Sequence, residues 1–96
     1  MILDWNDAKN NRLEEERGIR FEEIAIALEN NGLIDLIDHP NHNKYPHQKL
    51  MIVCWRNYIY IVPCVKTTEG YFLKTIIPSR KATKNYFNPG GNYEKL

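Results

Sequence analysis

Two runs rich in β-branched and aromatic residues, 49–55 and 58–65, are separated only by Arg56-Asn57. A gap that short admits one connection, a tight antiparallel hairpin, and the hairpin fixes its own register. Trp55 then faces Tyr58, Val53 faces Tyr60 and Lys49 faces Cys64. One side of the hairpin carries Leu50, Ile52, Cys54, Ile59, Ile61 and Pro63. It is apolar throughout and predicts where helices pack. The other side, with Lys49, Trp55, Tyr58 and Tyr60, is predicted to be open. Pro63 lacks an N–H for the ladder, so its strand should be bulged or lie near an edge.

The rest of the chain builds outward from that hairpin. A first helix is expected from Asp4-Trp5-Asn6-Asp7, capped by Asp4 or Asp7, to about Arg17, with Gly18 as the stop. Its inner residues should be Trp5, Ala8 and Leu13. Phe21, Ile24, Ala25 and Leu28 fall on one stripe of a second helix over 21–30, ended by Asn31-Gly32. Leu33–Asp38 reads as a short strand. The segment 39–47, with two prolines, reads as a loop. After a turn at Thr67-Thr68-Glu69-Gly70 comes a strand over 71–77. Tyr71, Leu73, Thr75 and Ile77 should point inward, and Phe72, Lys74 and Ile76 outward. Pro78 ends that ladder, Ser79 caps a last short helix, and residues 88–96 read as a flexible tail. The predicted class is α+β. Two N-terminal helices pack on one face of an antiparallel sheet of about four strands, with a short C-terminal helix, in one domain over residues 1–87.

Ninety-six residues suffice for one core. No apolar run approaches a membrane span, and the first ten residues hold Asp4 and Asp7 in place of a basic leader. Cys54 and Cys64 lie in apolar runs and read as buried thiols, so a cytoplasmic protein is expected. Charge is unevenly spread. Residues 1–38 hold four Lys/Arg against ten Asp/Glu, a net of −6, and residues 39–96 hold nine against two, a net of +7. Either the basic part meets a polyanion, or acidic helices lie beside a basic sheet and satisfy it.

The sharpest chemical feature is Ile76-Ile77-Pro78-Ser79-Arg80-Lys81. A first helical turn usually favours acids, because its free N–H groups are already positive. Arg80 and Lys81 there suit an anion such as phosphate, although the same residues would serve a solvated basic helix. His39, His42 and His47 have no recognised metal-ligand spacing, and no metal or cofactor is expected. A cysteine nucleophile is disfavoured by burial. Metal-free RNA cleavage needs a base, cations for the phosphorane and an acid. The basic part offers His39, His42, Lys49, Lys74, Arg80, Lys81 and Tyr86 for these roles. Lys49, Lys74 and Lys84 would hold phosphates, and Trp55, Tyr58 and Tyr60 would stack bases. The same rings and cations could instead form a non-catalytic protein- or nucleic-acid-binding module.

Asp4-Trp5 with Lys9, Arg17-Gly18-Ile19 with Phe21-Glu22-Glu23, and Ile76 through Thr83 form a recognisable set over residues 4–87. With His39-Pro40-Asn41, Tyr45-Pro46 and Gln48-Lys49, the chain resembles the BrnT-like toxins of bacterial type II toxin–antitoxin modules. The resemblance implies a RelE-like fold, an endoribonuclease that halts translation, and a small cognate antitoxin as partner. It carries the phosphate contact onto Arg80 and Lys81. Arg80 would then meet transition-state charge, with Lys81 or Lys74 on neighbouring phosphates. His39 is the first candidate for base or acid, and Tyr86 the second.

Overall fold

Helix α1 (Asp7–Arg17) begins where the Asn6 side chain accepts the Lys9 N–H at 2.8 Å. It ends at Gly18, whose φ of 68° is the left-handed turn that a residue without Cβ makes freely. The cap is thus Asn6, which lies between the two candidate aspartates. Leu13 is buried as expected, but Ala8 is exposed and the other buried position is Asn10. Asn10 is fully employed. Its Oδ1 accepts the Phe21 N–H at 2.7 Å, and its Nδ2 donates to Glu22 Oε1 at 2.8 Å. These bonds tie α2 (Phe21–Glu29) to α1, and the Asn10 bond holds the Glu22 carboxyl below its ordinary range. The computed structural model describes residues 1–88. Of the tail expected over 88–96, all but Asn88 lie outside the described residues.

Strands β1 (Ile2–Asp4), β2 (Leu33–Asp38), β3 (Gln48–Trp55), β4 (Tyr58–Lys66), β5 (Gly70–Leu73) and β6 (Ile77–Pro78) form one mixed sheet. Its order is β1-β5-β4-β3-β2, with β6 also on β4, and α3 (Arg80–Phe87) follows. The α+β class and the three helices are as expected; a purely antiparallel sheet of about four strands is not. β1 pairs parallel with β5. Three residues are too few to show a strand period, so the sequence gives no sign of it. No helix among the described residues is long and apolar enough to cross a membrane.

The hairpin register follows the two-residue turn, with Trp55 opposite Tyr58, Val53 opposite Tyr60 and Lys49 opposite Cys64. The packing side is the reverse of the expectation. Met51, Val53, Val62 and Cys64 form the core with Leu13, Phe21, Ile24 and Ala27 of the two helices. Trp55, Tyr60 and Tyr71 pack at the margin of that core, not on an open face. Leu50, Ile52, Cys54, Ile59, Ile61 and Pro63 point to the other side, where Leu50, Ile59 and Pro63 are buried but Ile37 and Ile77 are 39% and 40% exposed. Both sides of the hairpin are apolar, so pairing shows which residues share a side and not which side the helices choose.

The strand expected over 71–77 is broken in two. Between the pairs Cys64–Leu73 and Ile61–Ile77, residues 74–76 stand opposite only 62 and 63. Pro63 lies at this gap. Its carbonyl accepts the Lys74 N–H at 2.8 Å, and it has no N–H to return. The extra residue reverses the phase of the chain, as a bulge does. Ile76 is therefore buried in the core and Ile77 exposed, the opposite of the expected alternation.

The outermost strand, β2, carries the exposed aliphatics Leu33, Ile34 and Ile37. Its pairing with β3 slips by a bulge between Leu33 and Asp35. The ladder alternates from the bond of His39 N–H to Gln48 O, which turns the Leu36 N–H away from β3. Asp35 Oδ1 accepts that outward N–H at 2.8 Å.

A Cβ on Gly70 would lie 1.8 Å from the Ile2 carbonyl oxygen, so β1 can join β5 only with glycine there. Gly70→Ala should displace β1 and cost about 2 kcal/mol, lowering the melting temperature by about 10 °C. A thermal melt like that of the parent protein would show that this pairing contributes little.

Candidate functional site

β6 delivers its chain directly to the hairpin end of β4. Tyr60 pairs with Pro78, and Ser79 N–H donates to the Ile59 carbonyl at 3.0 Å. Ser79 Oγ then accepts the Ala82 N–H at 3.0 Å and caps α3, as its sequence position suggested. Thr83 ties the first turn down. Its hydroxyl accepts the Ile59 N–H at 2.8 Å and donates to the Ser79 carbonyl at 2.7 Å. Arg80, the next residue after Ser79, is exposed and pairs with no carboxylate among the described residues. Lys81 and Lys84 are exposed on the same helix. Tyr86 lies further along α3, where its ring meets Phe87 edge-on at 5.0 Å.

The aromatic side chains stand at the same end of the sheet. The Tyr58 and Tyr60 rings are 5.5 Å apart, and both residues are half-buried. Trp55 Nε1 donates to Glu23 Oε1 at 3.1 Å, while the other oxygen of Glu23 accepts the Arg20 N–H at 3.1 Å. That second bond is a helix-start contact for α2, so one carboxylate both begins the helix and clamps the indole. Burial, with Glu23 and Tyr58 nearby, raises the Tyr60 phenol above its ordinary range, and Arg56 opposes this. The Arg56 guanidinium lies 5.1 Å from the centre of the Trp55 ring. Arg17, at the end of α1, donates to the carbonyl of Ile76 just before β6. Three residues of this end, Arg17, Glu23 and Arg56, had no assigned role in the sequence reading. Arg56 carries a visible signal, being an arginine where a two-residue hairpin turn favours Asn or Gly.

His39 and Lys49 lie elsewhere. His39 N–H donates to Gln48, which pairs with Val65, whereas Ser79 is bound to Ile59. Six residues of β4 separate those two points, about 20 Å. His39 is occupied locally, with Nδ1 accepting the Asn41 N–H at 3.0 Å and its ring 4.5 Å from that of Tyr45. Lys49 Nζ sits 2.7 Å from Asp38 Oδ1, which raises the lysine and lowers the aspartate from their ordinary ranges. A cleft of ≈ 460 Å³ opens there, lined in part by Asp38, His47, Lys49 and Lys66. Its ion pair is already made, so it offers less to a phosphate than Arg80, which has no carboxylate partner among the described residues. Lys74 leans over the Phe72 ring at 5.7 Å, off the ladder between β5 and β6. The expected constellation therefore divides. Arg80, Lys81, Lys84, Trp55, Tyr58 and Tyr60 share the hairpin end, and His39 and Lys49 the far end.

Among the described residues no three His, Cys, Asp or Glu side chains converge. Cys64 is buried in the core, and burial pushes its thiol from 9.0 up to about 11, which silences it as a nucleophile. The chemistry available at the hairpin end is cationic and phenolic. No family model matches this chain, and no curated protein or solved structure shows significant similarity to it.

The Cys64 shift predicts a pH dependence. The unfolded thiol ionises near 9.0 and the folded one near 11, so stability is complete below pH 9 and falls as pH rises toward 11. Tyr60 and Lys49, also raised, contribute with the same sign. Between pH 8 and pH 10.5 the thiol alone should remove about 2 kcal/mol. Cys64→Val should flatten the profile by that amount in urea titrations, and identical profiles would contradict it.

Proposed function

We propose that this chain is a metal-independent endoribonuclease of RelE-like fold, the toxin of a toxin–antitoxin pair, acting on cytoplasmic RNA. One observation carries the proposal: Arg80 stands exposed at the start of α3, without a carboxylate partner among the described residues, at the end of the sheet that also carries Tyr58 and Tyr60. A guanidinium with no carboxylate of its own is available to a phosphate. Ser79 and Thr83 fix the helix start to β4, so the cation is held by a rigid element.

In this reading a phosphodiester lies before the first turn of α3. Lys81 and Lys84 hold adjacent phosphates, and a base stacks at the tyrosines. The ribose 2′-oxygen, losing its proton to solvent water, attacks phosphorus to form a 2′,3′-cyclic phosphate, and the bond to the 5′-oxygen breaks as that oxygen takes up a proton and leaves as a hydroxyl. Arg80 neutralises the charge that builds on the phosphorane. Tyr60, a phenol protonated at neutral pH like any tyrosine and raised further by burial, can serve only as a donor to the leaving oxygen and not as a base for the 2′-hydroxyl. His39, about 20 Å along the sheet, takes no part. For the antitoxin, the sheet side turned away from α1 and α2 offers apolar contact at Ile37 and Ile77.

A second reading, RNA binding without turnover, is favoured by one feature. The chain's three histidines are His39, His42 and His47, all in the loop at the far end, and Glu23 is committed to Arg20 and Trp55. Incubation with RNA in EDTA separates the two. New 2′,3′-cyclic phosphate ends are expected, about 10²–10³-fold slower to appear for Arg80→Ala. His39→Ala should cleave within about twofold of the parent rate, because its ring lies outside reach of the phosphate. Binding without new ends would establish the module, and full activity in Arg80→Ala would remove Arg80 from the mechanism.

A further inference from the structure

The turn between β3 and β4 contains a residue that its own geometry disfavours. Arg56 has φ 51° and Asn57 φ 62°, so both occupy the left-handed region. Turns of this kind select Asn and Gly, because a larger side chain crowds the following carbonyl. Asn57 conforms and Arg56 does not. The fold makes little use of the Arg56 charge, which has no ion pair among the described residues. Its guanidinium carbon instead sits over Trp55, 5.1 Å from the ring centre, while the residue as a whole stays exposed. The indole beneath is fixed by its bond to Glu23, so the cation rests on a rigid backing. Strained residues persist where their side chains perform a task that a relaxed residue would not.

An exposed guanidinium backed by a clamped ring can offer its free side as a stacking surface for an unpaired nucleobase. We infer that Arg56 grips a base of single-stranded RNA at the hairpin tip, forming a stack of indole, guanidinium and base at the same end of the sheet as Arg80. This rests on the RNA reading of the hairpin end and names the part of the ligand that Arg56 recognises. Arginine suits the task where lysine would not, since only the planar cation stacks on both faces.

The test uses a 2′-O-methyl oligonucleotide, which resists cleavage, and a strand identical except for abasic positions, both followed by fluorescence anisotropy. Arg56→Asn should weaken binding of the base-bearing strand about tenfold and leave the abasic strand unchanged. Its melting temperature should hold or rise, because asparagine fits the turn. Unchanged affinity for the base-bearing strand would overturn the inference alone, provided that Arg80→Ala still weakens both strands. Equal losses on both strands would also overturn it, since they indicate a phosphate contact. A fall in melting temperature alongside the lost affinity would make Arg56 a structural residue and overturn it too. If the parent protein binds neither strand, the RNA reading fails and this inference falls with it.

Discussion

Pro63 sits in the interior of β4, the strand around which the sheet is arranged, and has no N–H for the neighbour on that edge. Its carbonyl still draws in the Lys74 N–H, but the ladder cannot continue past it. The chain therefore leaves the sheet after Leu73, spends one extra residue, and returns as β6 with its side chains exchanged between faces. Ile76 thereby gains the core, and Arg17 at the end of α1 supplies a donor to the carbonyl of Ile76. Only after this detour does the backbone arrive at Ile59 in the register that lets Ser79 and Thr83 anchor α3. A proline that would be excluded from an uninterrupted central strand thus sets where Arg80 emerges.

The aromatic side chains obey a related economy. Trp55, Tyr58 and Tyr60 each combine a large apolar body with one polar atom, which suits the margin of a core better than its middle or an open face. Glu23 makes this arrangement rigid by serving the backbone of Arg20 and the indole of Trp55 together. The acidic first part of the chain and the basic second part meet as an ion pair elsewhere, between Asp38 and Lys49 at the far end of the sheet. Arg80, Lys81 and Lys84 are left over, without acidic partners among the described residues.

Much of the fold was legible from local rules. The two-residue turn dictated the pairing of β3 and β4 across their whole length, Gly18 marked the end of α1, and Ser79 marked the start of α3. Three things were hidden. The side chosen by the helices was hidden because Leu50, Ile52 and Ile61 are as apolar as Met51, Val53 and Val62. The phase beyond Leu73 was hidden because a bulge across from Pro63 changes the alternation without changing composition. β1 was hidden because its place depends on Gly70, distant in sequence and unremarkable by itself. For the site, Ser79-Arg80-Lys81 was readable as a helix start with unusual charge. The separation of His39 from Arg80 was not, because both belong to one basic stretch of sequence while the sheet carries them to opposite ends.

β2 forms a greasy border, with Leu33, Ile34 and Ile37 all in contact with solvent. Identical molecules meeting there would be expected to zip together backbone to backbone and grow into insoluble fibres. Asp35 interferes from within its own chain, because its carboxylate has already claimed the Leu36 amide that an incoming molecule would need. The neighbouring irregularity between Leu33 and Asp35 throws any such approach out of step. One short acidic side chain thereby removes a donor that edge-to-edge pairing at β2 would use.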